Sequence, residues 1–179
     1  MKNKKSFINR IYREKDIKKI DAKINQFGVS KKFTTEYFMN FRLFTSMIVF
    51  VVLFIFADFG ALIAPVATVL WYILVGYFMI DKPLKKRERK LDNEAYYYFE
   101  VLTLALESGR NLENAIKMAC KYIDSEISSE FKETIKQVNF GKSLTESLSV
   151  MSARIPSLTI NNIILNMEQS NLFGNSIIE

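Results

Sequence analysis

The residues whose types and spacing come nearest to chemistry are Gly141-Lys142-Ser143, in the stretch "NFGKSLTES" at 139–147. The triplet is the end of a phosphate-binding loop, Gly-x-x-x-x-Gly-Lys-Ser/Thr, in which a glycine-rich backbone wraps its N–H groups around phosphate. The first glycine of that pattern would fall on position 136, which is Lys136. Such a loop also follows a buried strand, whereas the preceding "SSEFKETIKQVNF" is charged and spaced as a helix. A structural role accounts for each letter instead. Gly141 suits the left-handed residue that ends a helix. Ser143 and Glu146 make Ser-x-x-Glu, the capping box in which each side chain satisfies a free backbone N–H of the next helix.

Other reactive groups are scarce. The chain has no histidine and one cysteine, Cys120. One cysteine allows no disulfide within the chain, as suits a cytoplasmic domain. In "AIKMACKYI" it shares a helical face with Ala115, Ile116, Ala119 and Ile123, which marks a core residue rather than a reactive thiol. No metal-spaced cluster and no nucleophile beside a base stands out, so no catalytic residue, metal or cofactor is expected and the chain reads as a non-enzyme.

The elements that would carry these residues are helices throughout. Between Leu43 and Ile80 the only charged residue is Asp58. As one helix that run would be about 57 Å long, against a hydrocarbon core of about 30 Å, so it fits two spans. "ADFGALIAP" (57–65) holds the break, with Asp58 and Gly60 in a turn and Pro65 near the first turn of the second helix. The spans are expected at about 41–57 and 63–80. Tyr37, Phe38 and Phe41 suit an interfacial aromatic belt, and Trp71 lies deep enough to pack between helices. Before the hairpin, Phe7, Ile8, Ile11, Ile17, Ile20, Ile24 and Phe27 alternate with lysines as a basic amphipathic helix ending near Gly28, fit for the inner leaflet or a partner helix. Beyond it, helices are expected from about 84 to Leu106 and then at 112–123, 127–139, 144–154 and 157–172, with Pro156 just inside the last. The fold class is therefore all-α: an amphipathic segment (1–40), a transmembrane helical hairpin (41–80) and a cytoplasmic antiparallel helix bundle (81–179).

Charge orients this arrangement. Residues 1–42 carry twelve Lys/Arg against four Asp/Glu, and "KPLKKRERK" (82–90) follows the hairpin. Basic flanks on both sides put both ends in the cytoplasm and the Asp58 turn outside, and they attract anionic lipid. Beyond residue 90 there are seven basic and twelve acidic residues, which argues against nucleic-acid binding.

"GRNLENAI" at 109, "GKSLTESL" at 141 and "GNSIIE" at 174 recur at spacings of 32 and 33 residues, as a repeated helix-stop, helix-start device. The tetratricopeptide pattern that such a period suggests is missing. These stretches, within "YYYFEVLTLALESGRNLENAIKMACKYI", "FKETIKQVNFGKSLTESLSVMSARI" and "NNIILNMEQSNLFGNSIIE", resemble the type II secretion system F family domain, nearest to the inner-membrane platform proteins of tight-adherence and related type IV pili. The matching positions are Glu107, Gly109 with Leu112 and Ala115, Gly141, Ser143, Glu146 with Leu148, and Glu168 with Gly174. Family members often carry a carboxylate where this chain has Asn171. They also continue through another helix and a second membrane hairpin, so a chain stopping at Glu179 is expected to be C-terminally truncated.

The resemblance implies a multi-pass platform in the cytoplasmic membrane, with its N-terminus and helical domain cytoplasmic. Its implied partners are a hexameric motor ATPase, a second platform protein or a second copy of itself, pilins and the lipid bilayer. Its implied role is coupling that ATPase to pilin extraction and filament assembly. The alternative from the residues alone is a membrane-anchored helical adaptor that binds a signalling or regulatory partner.

Overall fold

The computed structural model describes the backbone of residues 13–30, 34–56 and 60–176, and all regular structure in these segments is helical. The chain divides into two compact units, Met1–Ile24 with Lys31–Leu84, and Asn25–Ser30 with Lys85–Glu179.

In the first unit, α1 (Glu14–Asn25) is amphipathic and buries Ile24. Its polar face is bonded within the unit: the Thr35 hydroxyl donates to Asp21 at 2.6 Å and Lys23 pairs with Asp81 at 2.6 Å. Phe7, Ile8 and Ile11, the first part of the expected amphipathic helix, lie outside the described residues. The hairpin consists of α2 (Thr35–Phe56) and α3 (Gly60–Gly76), continued by a π turn at Tyr77–Asp81. α2, over Thr35–Ile55, and the continuous helix from Ile63 to Glu107 that includes most of α3 are each long and apolar enough to cross a membrane. At 1.5 Å per residue α2 is about 33 Å long, so it matches the hydrocarbon thickness better than the expected 41–57 did. The exposed surface is apolar, including Phe44, Met47, Ile55, Val66, Leu70 and Ile73.

Several expectations change here. The turn residues 57–59, with Asp58, lie outside the described residues, but Gly60 is already helical and Pro65 lies inside α3, beyond its first turn. Phe38 is fully buried, so of the expected aromatic belt only Tyr37 and Phe41 are exposed. Trp71 is 40% exposed and does not pack between the helices. Helical spacing gives the reason. The inward face of α3 runs through Ala64, Thr68, Tyr72 and Val75, and Trp71 sits one residue, or about 100°, off it. The inward face of α3 meets the buried and half-buried row Phe38, Met39, Arg42 and Ser46 of α2, through Tyr72 and Arg42.

The second unit contains the turn Gly28–Ser30, most of α4 (Lys82–Glu107), α5 (Leu112–Tyr122), α6 (Glu126–Asn139), α7 (Leu144–Ser152) and α8 (Leu158–Ser176). Its core forms because each helix carries apolar residues three and four apart. On α4 these are Leu91, Ala95, Tyr98, Leu102 and Ala105, and on α6 they are Ile127, Phe131 and Ile135. Tyr98 stacks on Phe131 with centroids 4.7 Å apart, and Phe99 meets both rings edge-on. Full burial of one such ring is worth about 1.5–3 kcal/mol. Cys120 is buried in this core, 3.3 Å from the Tyr98 hydroxyl.

Asn111, Ser125 and Ser143 cap α5, α6 and α7, each accepting from the backbone N–H three residues on. Ser157 does the same for α8 by accepting from Ile160, which puts Pro156 just before that helix rather than inside it. Gly109 and Gly141 take positive φ values of +81° and +96° between consecutive helices. Gly174 departs from the expected device, because it lies within α8, which runs on to Ser176. Glycine permits a left-handed stop but does not impose one. At 109 and 141 the following polar residue caps a new helix, whereas Ser176 is itself helical.

Candidate functional site

The motif positions fall into separate places. Gly141, Ser143 and Glu146 share the α6–α7 junction, where Ser143 Oγ accepts from the Glu146 N–H at 3.1 Å. This is one half of the expected capping box; the Glu146 side chain is exposed, and no bond from its carboxylate back to the Ser143 N–H is formed among the described residues. Lys142 is exposed and its Nζ lies 3.5 Å from Gln137 Oε1. With a helix before it and no glycine at 136, the junction has neither the strand nor the backbone cradle of a phosphate loop. Asn171 on α8 donates to Thr145 Oγ1 at 3.2 Å, joining α8 to the start of α7. Glu168, one turn before Asn171, is half-buried, and that burial pushes its carboxyl above the ordinary carboxylate range. Glu107 and Gly109 lie at the α4–α5 junction, where Glu107 is exposed.

The densest polar constellation lies elsewhere, on residues with no catalytic or capping signature. Glu130 of α6 is 1% exposed and sits between two arginines. Its Oε1 accepts from Arg87 at 2.8 Å and its Oε2 from Arg154 at 2.9 Å. Arg87, itself 8% exposed, also donates to Glu126 at 2.7 Å, to the Arg154 carbonyl at 2.8 Å and to the Gln26 carbonyl at 2.5 Å. The Val29 N–H donates to Glu130 Oε1 at 2.9 Å. Thus one buried Arg–Glu–Arg triad holds α4, α6, the segment after α7 and the turn Gly28–Ser30. Gly28 has φ +69°, and a Cβ there would collide with Glu130 Oε1 and the Arg87 guanidinium. Only glycine lets the turn approach this closely.

Beside the triad, Glu94 Oε2 accepts from the N–H groups of Glu126 and Ile127, placing a carboxylate on the first turn of α6. Burial alone would raise the Glu126 carboxyl, but hydrogen bonds and charges from Lys90 and Arg87 outweigh it and hold it below the ordinary range. Lys90 is raised in turn, chiefly by its hydrogen bond to Glu126.

A cleft of about 440 Å³ opens here, lined by Val29, Lys90, Glu94, Ser125, Glu126 and Ser129 among others. Its volume would admit a small molecule, but its reactive groups are already engaged. Glu94 is committed to the α6 N-terminus, Glu126 and Glu130 to cations, and the Ser129 hydroxyl to the Ser125 carbonyl. Among the described residues no three His, Cys, Asp or Glu side chains are grouped as a metal ion requires. The arrangement therefore works as a joint between chain segments.

Sequence reasoning passed over this joint, although two signals pointed to it. Glu130 occupies the apolar stripe of α6 between Ile127 and Thr134, and Arg87 lies one turn before Leu91 on the buried stripe of α4. A charge on an otherwise apolar face requires a buried partner.

The two perturbed carboxyls predict opposite pH effects. The folded pKa of Glu126 lies below its unfolded value, so its stabilisation is complete above the unfolded pKa of about 4.3 and disappears as pH falls through the folded one. The folded pKa of Glu168 is raised, so the protein gains stability from it as pH falls. Acid melting curves should show Glu126→Gln flattening the loss below about pH 4.3. Glu168→Gln should raise the melting temperature at pH 7 and lose that advantage in acid.

Comparison with known proteins agrees with this architecture. Residues 98–176 match the family model described as type II secretion system (T2SS), protein F. No curated protein and no solved structure matches the chain. The matched segment takes in the last ten residues of α4 (Tyr98–Glu107) and all of α5, α6, α7 and α8, the whole run of capped helices around the Tyr98–Phe131 core. Residues 98–176 are thus similar to the type II secretion system protein F family.

Proposed function

We propose that this chain is a platform component in the cytoplasmic membrane, which couples a cytoplasmic motor ATPase to the extraction of pilins and their assembly into a filament. The observation that carries the reading is the order of parts: a segment similar to protein F at 98–176 preceded by two helices apolar enough to span a bilayer, with basic residues flanking both. On this reading 1–40 is a basic amphipathic N-terminal segment, 41–80 the membrane hairpin and 81–179 the cytoplasmic domain. The positive flanks keep both ends of the hairpin on the cytoplasmic side.

The chemistry of the domain supports mechanical rather than catalytic work. Its carboxylates and arginines hold helices together, and the helices are capped at their N-termini. Its surface presents large aromatic residues for a protein partner: Tyr96, Tyr97, Tyr122 and Phe140, the last 89% exposed at the α6–α7 junction. Aromatic residues are enriched at protein interfaces, where they supply much of the binding energy.

Photocrosslinking probes placed at Arg110, Phe140 and Lys142 in the native cell test this reading. Adducts to the motor ATPase, to another platform copy or to pilins are the expected result. Adducts confined to regulatory proteins, with the motor expressed, would replace the platform reading with that of an adaptor.

A further inference from the structure

Within the hairpin, Arg42 has no carboxylate partner among the described residues. Arg42 is half-buried on α2, among apolar neighbours. Its guanidinium carbon lies 3.3 Å from the centroid of the Tyr72 ring on α3 and 5.9 Å from that of Phe38. Its Nε donates to the Tyr72 carbonyl at 3.0 Å. These contacts use the face of the guanidinium and one of its five N–H groups. They fix the side chain across the α2–α3 seam and leave both terminal nitrogens without a hydrogen-bond acceptor among the described residues. Among the described residues no carboxylate lies within ion-pair distance, and those of the hairpin from Leu43 to Ile80 carry no charge at all.

A cation at the edge of an apolar hairpin requires an anion, because burying it unpaired costs several kcal/mol. The flanking surface is lipid-like, with Phe41 and Phe44 exposed beside it. We propose that Arg42 is a binding site for the phosphate of an anionic lipid headgroup in the cytoplasmic leaflet, with Tyr72 as the platform that aims it. The paired terminal nitrogens match two phosphate oxygens, which a lysine cannot do. One seam-bound lipid then contacts both helices at their cytoplasmic end, so that bilayer composition sets how firmly they are held together. This inference rests on the membrane reading of the hairpin.

The test uses the full chain in nanodiscs of phosphatidylcholine with or without phosphatidylglycerol, followed by native mass spectrometry of the lipid retained. The wild type should retain phosphatidylglycerol, and Arg42→Gln should retain about five-fold less, the value of roughly one basic contact at a membrane surface. Arg42→Lys should fall between them, and Lys86→Gln, at an exposed position outside the seam, should match wild type. Equal retention by Arg42→Gln and wild type would overturn the site. Displacement of the lipid by an equal concentration of inorganic phosphate would overturn its assignment to lipid. Release of the chain from membranes by alkaline carbonate would sink the membrane reading itself, whereas lost selectivity with insertion intact removes only the Arg42 site.

Discussion

Glu130→Ala is expected to destabilise the second unit by about 3–5 kcal/mol, the cost of leaving a buried cation without its partner. The buried Arg87 and the half-buried Arg154 would lose their shared carboxylate at once. Arg154 would lose the acceptor of its Nε, and Arg87 would keep only the half-exposed Glu126 and two carbonyls. Native-state hydrogen exchange of α6 amides in the detergent-solubilised full chain reads the opening free energy directly. The triad also carries a counter-prediction. Desolvating three charges is itself expensive, so exchanging all of them for apolar residues of similar size costs far less than removing one. The combination Arg87→Met, Glu130→Leu and Arg154→Met should therefore recover much of the stability that Glu130→Ala alone loses. If the triple variant is no better than the single one, the triad is not the electrostatic unit described here.

The second large effect is expected at Gly28. An alanine there meets a left-handed backbone, worth about 1–2 kcal/mol, and its Cβ collides with Glu130 Oε1 and Arg87. Those two groups are held in place by further ion pairs, Arg87 to Glu126 and Glu130 to Arg154. The turn must lift instead, breaking the Val29–Glu130 and Arg87–Gln26 hydrogen bonds. Gly28→Ala should thus abolish exchange protection of the Val29 amide and leave the α6 amides protected, since the triad itself remains intact. Gly141→Ala is the control. It has a positive φ but open space around the added methyl, so its cost should stop at the backbone term of about 1–2 kcal/mol and remain local to the α6–α7 junction. Retained protection at Val29 in Gly28→Ala would show that the turn does not depend on this close approach.

The contrast between these two glycines marks the boundary of what a sequence can reveal. Gly141, Ser143 and the helices on either side were legible because caps and turns are local: their donors and acceptors lie within a few residues of one another. The helical faces and the uncharged run of the hairpin were legible for the same reason, since periodicity is a property of one segment. Gly28 was legible only as a helix stop. That it must also be small depends on Glu130, about a hundred residues further along, and on Arg87, and no local pattern records that meeting.

The same holds for the charged residues. The sequence alone determined an all-α chain and an apolar hairpin with basic flanks, because composition and spacing specify these directly, and it carried the likeness of residues 98–176 to the protein F family. Only the tertiary structure decided that Arg87, within a run that reads as a solvated basic stretch, is a buried partner of Glu130, and that Tyr72 rather than Trp71 occupies the hairpin seam with Arg42. Helix rotation settles which residue faces inward, and a shift of one position, about 100°, exchanges a lipid-facing residue for a packed one. A charge is tolerated in a core only where another segment brings its counter-charge, so its role is fixed by packing between distant segments and not by its neighbours in the chain.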